Sequence, residues 1–460
     1  MATAFSKEYF GIFMVIRRIV AIGAPLISLN LSVGLARYVS YEKENEKEFL
    51  NASILVICGL SVLSIVISII FRNQLSLLFF NTSNHSLIIV LTAFFLFGYG
   101  IYSISYAFFR GRQEMNRANS MQVLYYLFPI MAGFILWQLF TDRYSHILSL
   151  YLISFSFWGV VLGLIFLRQN VQIGRLLPII EKVQSVKAVF FYSFFRIPSS
   201  FFLALVFGIP VFVASQKMSL VAAGYIGIAV AIVRLMGIFA TPFNLLFLPK
   251  FAEMKRNDSP REVSDTASIV ASFIITVLPF FAVACYGLAN YAVIIFFGKK
   301  YIAATQCVSV VILFSVFYVS SVLIRGILDG LFSFPYVNII YSAGLLITAI
   351  SSLLFHGSVL MLAVDFGLGL FVIGLAAFCI LIKVANVSVK IKKVLLSLAI
   401  AMSVFVLLFF LDKWVELTAF PEYVKFGGKI LYRIILLFIL YLFYWKPKII
   451  WAKEILLENK

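Results

Sequence analysis

The chain has 460 residues, of which 63% are hydrophobic and only 12% charged, and it carries a formal net charge of +18. Soluble domains are nearer half apolar and a quarter charged, so this composition excludes a soluble globular protein. Apolar runs long enough to cross a hydrocarbon core of about 30 Å recur along nearly the whole chain, which predicts an all-α polytopic membrane protein rather than a barrel.

In chain order, thirteen spans are expected, at residues 10–33, 50–70, 86–108, 119–140, 146–167, 188–213, 222–248, 267–297, 304–324, 335–355, 358–382, 394–411 and 429–445. The span at 267–297 is too long for one straight crossing and should end in a tilted or interfacial piece. Lys and Arg number 23 in one alternating set of connections and eight in the other. By the positive-inside rule the first set is cytoplasmic, which puts the N-terminus outside and the C-terminus inside. The basic excess is therefore topological and is not a nucleic-acid footprint.

The connection "LRQNVQIGRLLPIIEKVQSVK" at 167–187 mixes apolar and basic residues, as a segment lying on the inner membrane surface does. It divides the chain into an amino-terminal lobe of about five spans (1–167), an amphipathic linker (168–187), a second lobe of about six spans (188–382), and two peripheral spans with a cytoplasmic tail (383–460). No connection is long enough to hold a soluble active site, so no catalytic residues and no enzyme activity are expected. Cys58, Cys285, Cys307 and Cys379 lie in apolar segments without CxxC spacing, and His85, His146 and His356 stand singly. Neither a disulfide framework, a metal site nor a cofactor is predicted.

Shifted by 216 positions, "YFGIFMVIRRIVAIGAPL" (9–26) overlies "YIGIAVAIVRLMGIFATP" (225–242), with seven of eighteen residues identical, among them Tyr9 with Tyr225, Gly11 with Gly227 and Arg18 with Arg234. Arg110 and Gly111 likewise match Arg325 and Gly326 after a one-residue slip. Both copies cross in the same direction, so the halves are expected to be related by an axis along the membrane normal, with a transported substrate held between them. The span at 188–213 has no counterpart before Met1, so the parent architecture is read as fourteen spans with the first absent here.

The segments "SKEYFGIF" and "LSVGLARYVSYEKENEKEFLNASI", with "AAGYIGIAVAIVRLMGIFATPFNLLFLPKFAEM" in the second half, resemble the Wzx-type oligosaccharide flippases of the multidrug/oligosaccharidyl-lipid/polysaccharide (MOP) exporter superfamily. The resemblance covers essentially the whole chain through diffuse patterns. It implies a MATE-like fold of two six-helix lobes plus two peripheral helices, a cationic central cavity, and export of an undecaprenyl-diphosphate-linked repeat unit for O-antigen, capsule or exopolysaccharide. Partners on this reading are the lipid-linked oligosaccharide, membrane lipids and polysaccharide assembly proteins.

Arg17, Arg18, Arg196 and Arg234 fall inside spans, where four cations ask for about 10 kcal/mol on insertion scales. A diphosphate suits them, because guanidinium is always charged and offers a bidentate fork to phosphate oxygens. Arg18 and Arg234 share a repeat position and are the leading pair; Arg17 points some 100° away from Arg18 around a helix. Hydrogen bonding to unwound carbonyls is the structural alternative for each. Asp365 in "AVDFGLG" is either a coupling site for protons or sodium or a hydrogen-bonding cap. Arg325 and Asp329, four apart, are expected to pair locally. Arg110, Arg112 and Arg117 read first as positive-inside charge. Pro25 and Pro242 bend equivalent helices and are candidate hinges.

Two rival functions are a multidrug exporter of the same superfamily, which would want carboxylates in its cavity, and a membrane glycosyltransferase or polymerase, which would want a long outer loop. A twin-arginine export signal at "RRIVAIG" fits poorly, since the residues before it are apolar and a dozen spans follow.

Overall fold

The computed structural model describes residues 5–41, 43–140, 144–168, 183–332, 334–354, 357–387, 391–418 and 421–440. Residues 169–182 of the expected surface linker, His356 and the tail at 441–460 lie outside the described residues. Among the described residues every regular element is helical, and packing divides the chain into two compact units, Met1–Gly227 and Ile228–Lys460.

The first unit contains α1 (Lys7–Ser28), α2 (Leu31–Tyr41), α3 (Glu46–Ile70), α4 (Arg72–Phe80), α5 (Ser86–Gly111), α6 (Met115–Leu139), α7 (Tyr144–Leu167), α8 (Val183–Phe194), α9 (Ile197–Lys217) and the first turns of α10 (Leu220–Arg256). The rest of α10 opens the second unit, followed by α11 (Pro260–Tyr286), α12 (Ala289–Phe297), α13 (Thr305–Leu331), α14 (Tyr336–Leu353), α15 (Val359–Ala385), α16 (Ile391–Leu417) and α17 (Glu422–Leu440). Eleven helices among the described residues are long and apolar enough to span a bilayer, and α16 and α17 occupy the two remaining expected spans. The chain is a multi-pass membrane protein. The overlong span at 267–297 breaks as expected, α11 ending at Tyr286 and the nine-residue α12 following Gly287 and Leu288.

Local sequence explains the two ends of α1. The Ser6 hydroxyl accepts the Tyr9 N–H at 3.3 Å, and Glu8 sits in the first turn, where the helix dipole favours an acid. At the other end Leu29 (φ 46°) and Asn30 (φ 51°) are both left-handed and stop the helix four residues after Pro25. That conformation is costly for leucine, and the Asn30 amide secures it by donating to the Arg196 carbonyl at 2.7 Å and to Ser200 Oγ at 3.1 Å. The equivalent α10 runs on through Pro242 for 37 residues, about 55 Å. Beside that proline the Thr241 hydroxyl donates to the Gly237 carbonyl at 3.3 Å.

Helix α9 is fastened to the first unit. Gln216 Nε2 donates to the Leu77 and Leu78 carbonyls at 2.8 and 2.6 Å, and Ser215 Oγ donates to the Phe79 carbonyl at 2.8 Å. The packing boundary therefore falls at Gly227 and Ile228, whereas the sequence grouping starts the second lobe at residue 188. Polar residues at the end of α9 reach open carbonyls on α4, a partnership that hydropathy does not register.

Small residues set the helix spacing, as they must where lipid supplies no hydrophobic drive between helices. In α7 the motif Gly159-x-x-x-Gly163 lies on α5. A Cβ on Gly159 would stand 2.5 Å from the Gly98 carbonyl oxygen, and one on Gly98 would strike the Ser156 backbone. In the second unit Gly374 receives the Phe317 backbone, a Cβ there falling 2.6 Å from its Cα. Gly159→Val is expected to destabilise the first unit by about 1–3 kcal/mol, as overpacked cores are. A thermal-unfolding scan of the purified protein beside Gly59→Val, where a Cβ meets open space, checks it.

Candidate functional site

The two adjacent arginines of α1 part company. The apolar run Ile12–Ile16 is buried, Arg18 is buried with it at 2% exposure, and Arg17 is exposed. Arg17 sits halfway along the 22-residue helix, about 15 Å from either end. Its guanidinium lies 6.0 Å from the Phe13 ring centroid and its charge reaches Tyr126 and Tyr151. Among the described residues Arg17 makes no ion pair and no hydrogen bond.

Arg196 occupies the break between α8 and α9 rather than the middle of a span. It is half-buried, with its guanidinium 4.0 Å over the Tyr192 ring, and the same ring carries Arg37 at 4.3 Å. Sequence reasoning missed Arg37 because it fell in a connection and was counted as topological charge.

In the second unit Arg234 is half-buried, and its charge and that of Arg325 both act on Tyr318. The Tyr318 ring also packs on Gly237, one turn along α10 from Arg234, where a Cβ would stand 2.5 Å away. Arg325 Nε meets Asp329 Oδ2 at 3.3 Å, the local pair expected from their spacing. Arg325 also hydrogen-bonds the buried Tyr341 hydroxyl. Asp365 is half-buried early in α15. Pro25 is buried and Pro242 exposed.

At the α5–α6 corner Arg112 lies 3.1 Å from Glu114 and 3.5 Å from Glu46, and Arg117 lies 2.7 Å from Glu114. Arg110 instead covers the Tyr106 ring at 5.6 Å. No group of three or more His, Cys, Asp or Glu side chains gathers into a metal-binding cluster among the described residues.

One buried charge network was not anticipated. Arg433, 2% exposed in α17, meets Asp412 of α16 at 2.6 Å and donates to the Ala284 carbonyl of α11 at 2.8 Å and to the Lys429 carbonyl at 3.0 Å. Lys429, 3% exposed, meets Glu416 at 2.9 Å, and Tyr432 donates to Asp412. Two cations face two acids, and Gly287 leaves the room that the Arg433–Asp412 pair fills. Span limits at 411 and 429 had placed both acids in a connection and Lys429 at a boundary, so the sequence signal was present but divided. The network fastens α16 and α17 to the end of α11. Asp412→Asn, which strands a buried guanidinium, is expected to cost about 3–5 kcal/mol, while the double change Asp412→Leu with Arg433→Leu recovers much of that. Thermal unfolding of the three purified proteins measures both effects.

Comparison with known proteins adds the family. A family described as "Polysaccharide biosynthesis protein" matches residues 1–255. Among solved structures, the lipid II flippase MurJ in an inward closed conformation superposes with a TM-score of 0.63 at 14% identity, covering 96% of this chain and 98% of that one. An inward-facing multidrug resistance MATE transporter of the MOP superfamily gives 0.60 at 15% identity, over 84% of this chain and 90% of its own. An outward-facing MATE transporter of the same superfamily gives 0.52 at 16% identity, over 82% and 86%. A search of curated proteins returned no match. With more than half of its length matched, the chain belongs to the polysaccharide biosynthesis protein family, and it has the fold shared by the lipid II flippase and the MATE transporters.

Proposed function

We propose that the protein is a flippase that moves an undecaprenyl-diphosphate-linked oligosaccharide across the bacterial cytoplasmic membrane by alternating access, without catalysis, for O-antigen, capsule or exopolysaccharide assembly. The observation that carries this is Arg17, a cation halfway along a spanning helix that is exposed and has no acid beside it among the described residues. A guanidinium facing hydrocarbon at that depth would cost at least about 2.5–3.5 kcal/mol, so its face must meet water or an anion. A diphosphate supplies that anion and matches the guanidinium fork. Arg18 and Arg196 add positive charge within the first unit, and Arg234, on the repeat-equivalent helix, brings a cation to the second.

Membership of a polysaccharide biosynthesis family supports a glycan cargo. The Lys and Arg distribution supports a cytoplasmic C-terminus. In this reading Pro25 and Pro242 are hinges, Asp365 couples transport to an ion, and polysaccharide assembly proteins receive the product. A second reading, export of a small molecule, draws on the likeness to multidrug transporters. A cationic drug would be repelled by the arginines, so the first reading is preferred.

Arg17→Ala, Arg18→Ala and Arg234→Ala are each expected to lower glycan delivery to the outer face by about tenfold or more, the loss of one charge-assisted contact. Delivery is measured in cells by labelling of the surface glycan, with protein amount and monodispersity checked in detergent. Full delivery by all three would overturn the diphosphate role, and restored drug tolerance in an efflux-deficient strain would favour the second reading.

A further inference from the structure

Arg17 begins a continuous file of aromatic rings in the first unit. Phe13, Tyr151, Phe155, Tyr125, Tyr102 and Tyr106 follow it with neighbouring centroids between 3.6 and 6.1 Å apart, and Arg110 covers the last ring. Tyr102 and Tyr125 stack face to face at the centre, 3.6 Å apart and within 7° of parallel. These two are buried, whereas Tyr106 is half-buried and Tyr126, its ring 5.4 Å from that of Tyr125, is 52% exposed. The buried Tyr125 hydroxyl has no hydrogen-bond partner among the described residues.

The second unit repeats the parts but closes them. A shift of 215 places Tyr126 on Tyr341, Arg110 on Arg325 and Glu114 on Asp329. Helix α13 runs unbroken to Leu331, so Arg325 and Asp329 share one face and pair at 3.3 Å, with Arg325 also bonded to the buried Tyr341. Helix α5 stops at Gly111, and Gln113 turns left-handed at φ 63°. Glu114 is thereby carried off to Arg112 and Arg117, and Arg110 is left on Tyr106. One turn of chain thus leaves in the first unit a shelf of one exposed and one half-buried tyrosine, with Arg110 over the Tyr106 ring and the charge of Arg17 reaching Tyr126.

We propose that this shelf, presented by Tyr126 and Tyr106 over the Tyr102–Tyr125 stack, is a carbohydrate subsite that takes the first sugar of the lipid-linked substrate while Arg17 holds the adjoining diphosphate. The inference rests on the flippase reading above and adds a second subsite to it. A pyranose ring has a face of C–H bonds that packs on an aromatic ring and a rim of hydroxyls that exchange hydrogen bonds with phenols. The first sugar is bonded directly to the diphosphate, so an aromatic shelf beside the diphosphate-holding cation is where that sugar falls. Phenols bind hydroxyls of many sugars, so the shelf reads a sugar ring against a bare lipid diphosphate more strongly than one sugar against another.

The test uses the full chain in lipid nanodiscs and two probes, undecaprenyl diphosphate and the undecaprenyl-diphosphate-linked oligosaccharide extracted from producing cells. The unaltered protein should bind the glycosylated lipid more tightly than the bare diphosphate. Tyr126→Leu and Tyr106→Leu should each weaken binding of the glycosylated lipid by about tenfold and leave the bare diphosphate unchanged, and Tyr126→Phe should lose less. Arg17→Gln should weaken both probes. Equal affinity of the unaltered protein for both probes, or tyrosine variants that change both equally or neither, would overturn the carbohydrate subsite and leave the flippase reading standing. Failure of the unaltered protein to bind either probe would instead overturn the flippase reading, and this inference with it.

Discussion

A guanidinium cannot be left in hydrocarbon without cost, and the arginines of this chain meet that constraint in different ways. Arg433 is buried and spends its donors on Asp412 and on backbone carbonyls. Arg325 divides its donors between Asp329 and Tyr341. Arg17 does neither: it is exposed on aromatic rings with no acid beside it. The first two arrangements are self-contained and serve packing. The third is complete only with water or an anion, which is why the proposed diphosphate contact is placed there.

Helix packing decides where each of these environments can form. Glycines on α5 and α7 bring two backbones together, and that close crossing places α5 where its tyrosines stack on those of α6. The same repeat-derived residues give a closed Arg–Asp–Tyr cluster in one unit and an open aromatic shelf in the other. The difference traces to where a helix ends, because an i,i+4 pair exists only while both residues remain on one helix.

Much of the fold was legible in the sequence, since the bilayer forces long apolar helices and sorts positive charge by side. Among the described residues helix occupies each of the thirteen expected spans, the overlong span breaks, and the Arg325–Asp329 pair forms. The repeat marked Arg18 and Arg234, yet the local geometry makes Arg17 the exposed member of its pair and sets Arg196 at a helix break beside Arg37. Pro25 and Pro242 are near-equivalent in sequence, but only the first is soon followed by a helix end.

By itself, then, the sequence determined the membrane class, the order of the spans, the repeat and the entry of Arg17, Arg18 and Arg234 into spanning helices, because each of these follows from composition and spacing along one chain. Only the tertiary structure decided which of two adjacent arginines is exposed, that α9 is fastened to the first unit, that four charges near the carboxy-terminal end of the described chain close on one another, and that tyrosines from three helices form one file. These depend on contacts between residues far apart in sequence, and neither hydropathy nor periodicity carries information about partners at such distances.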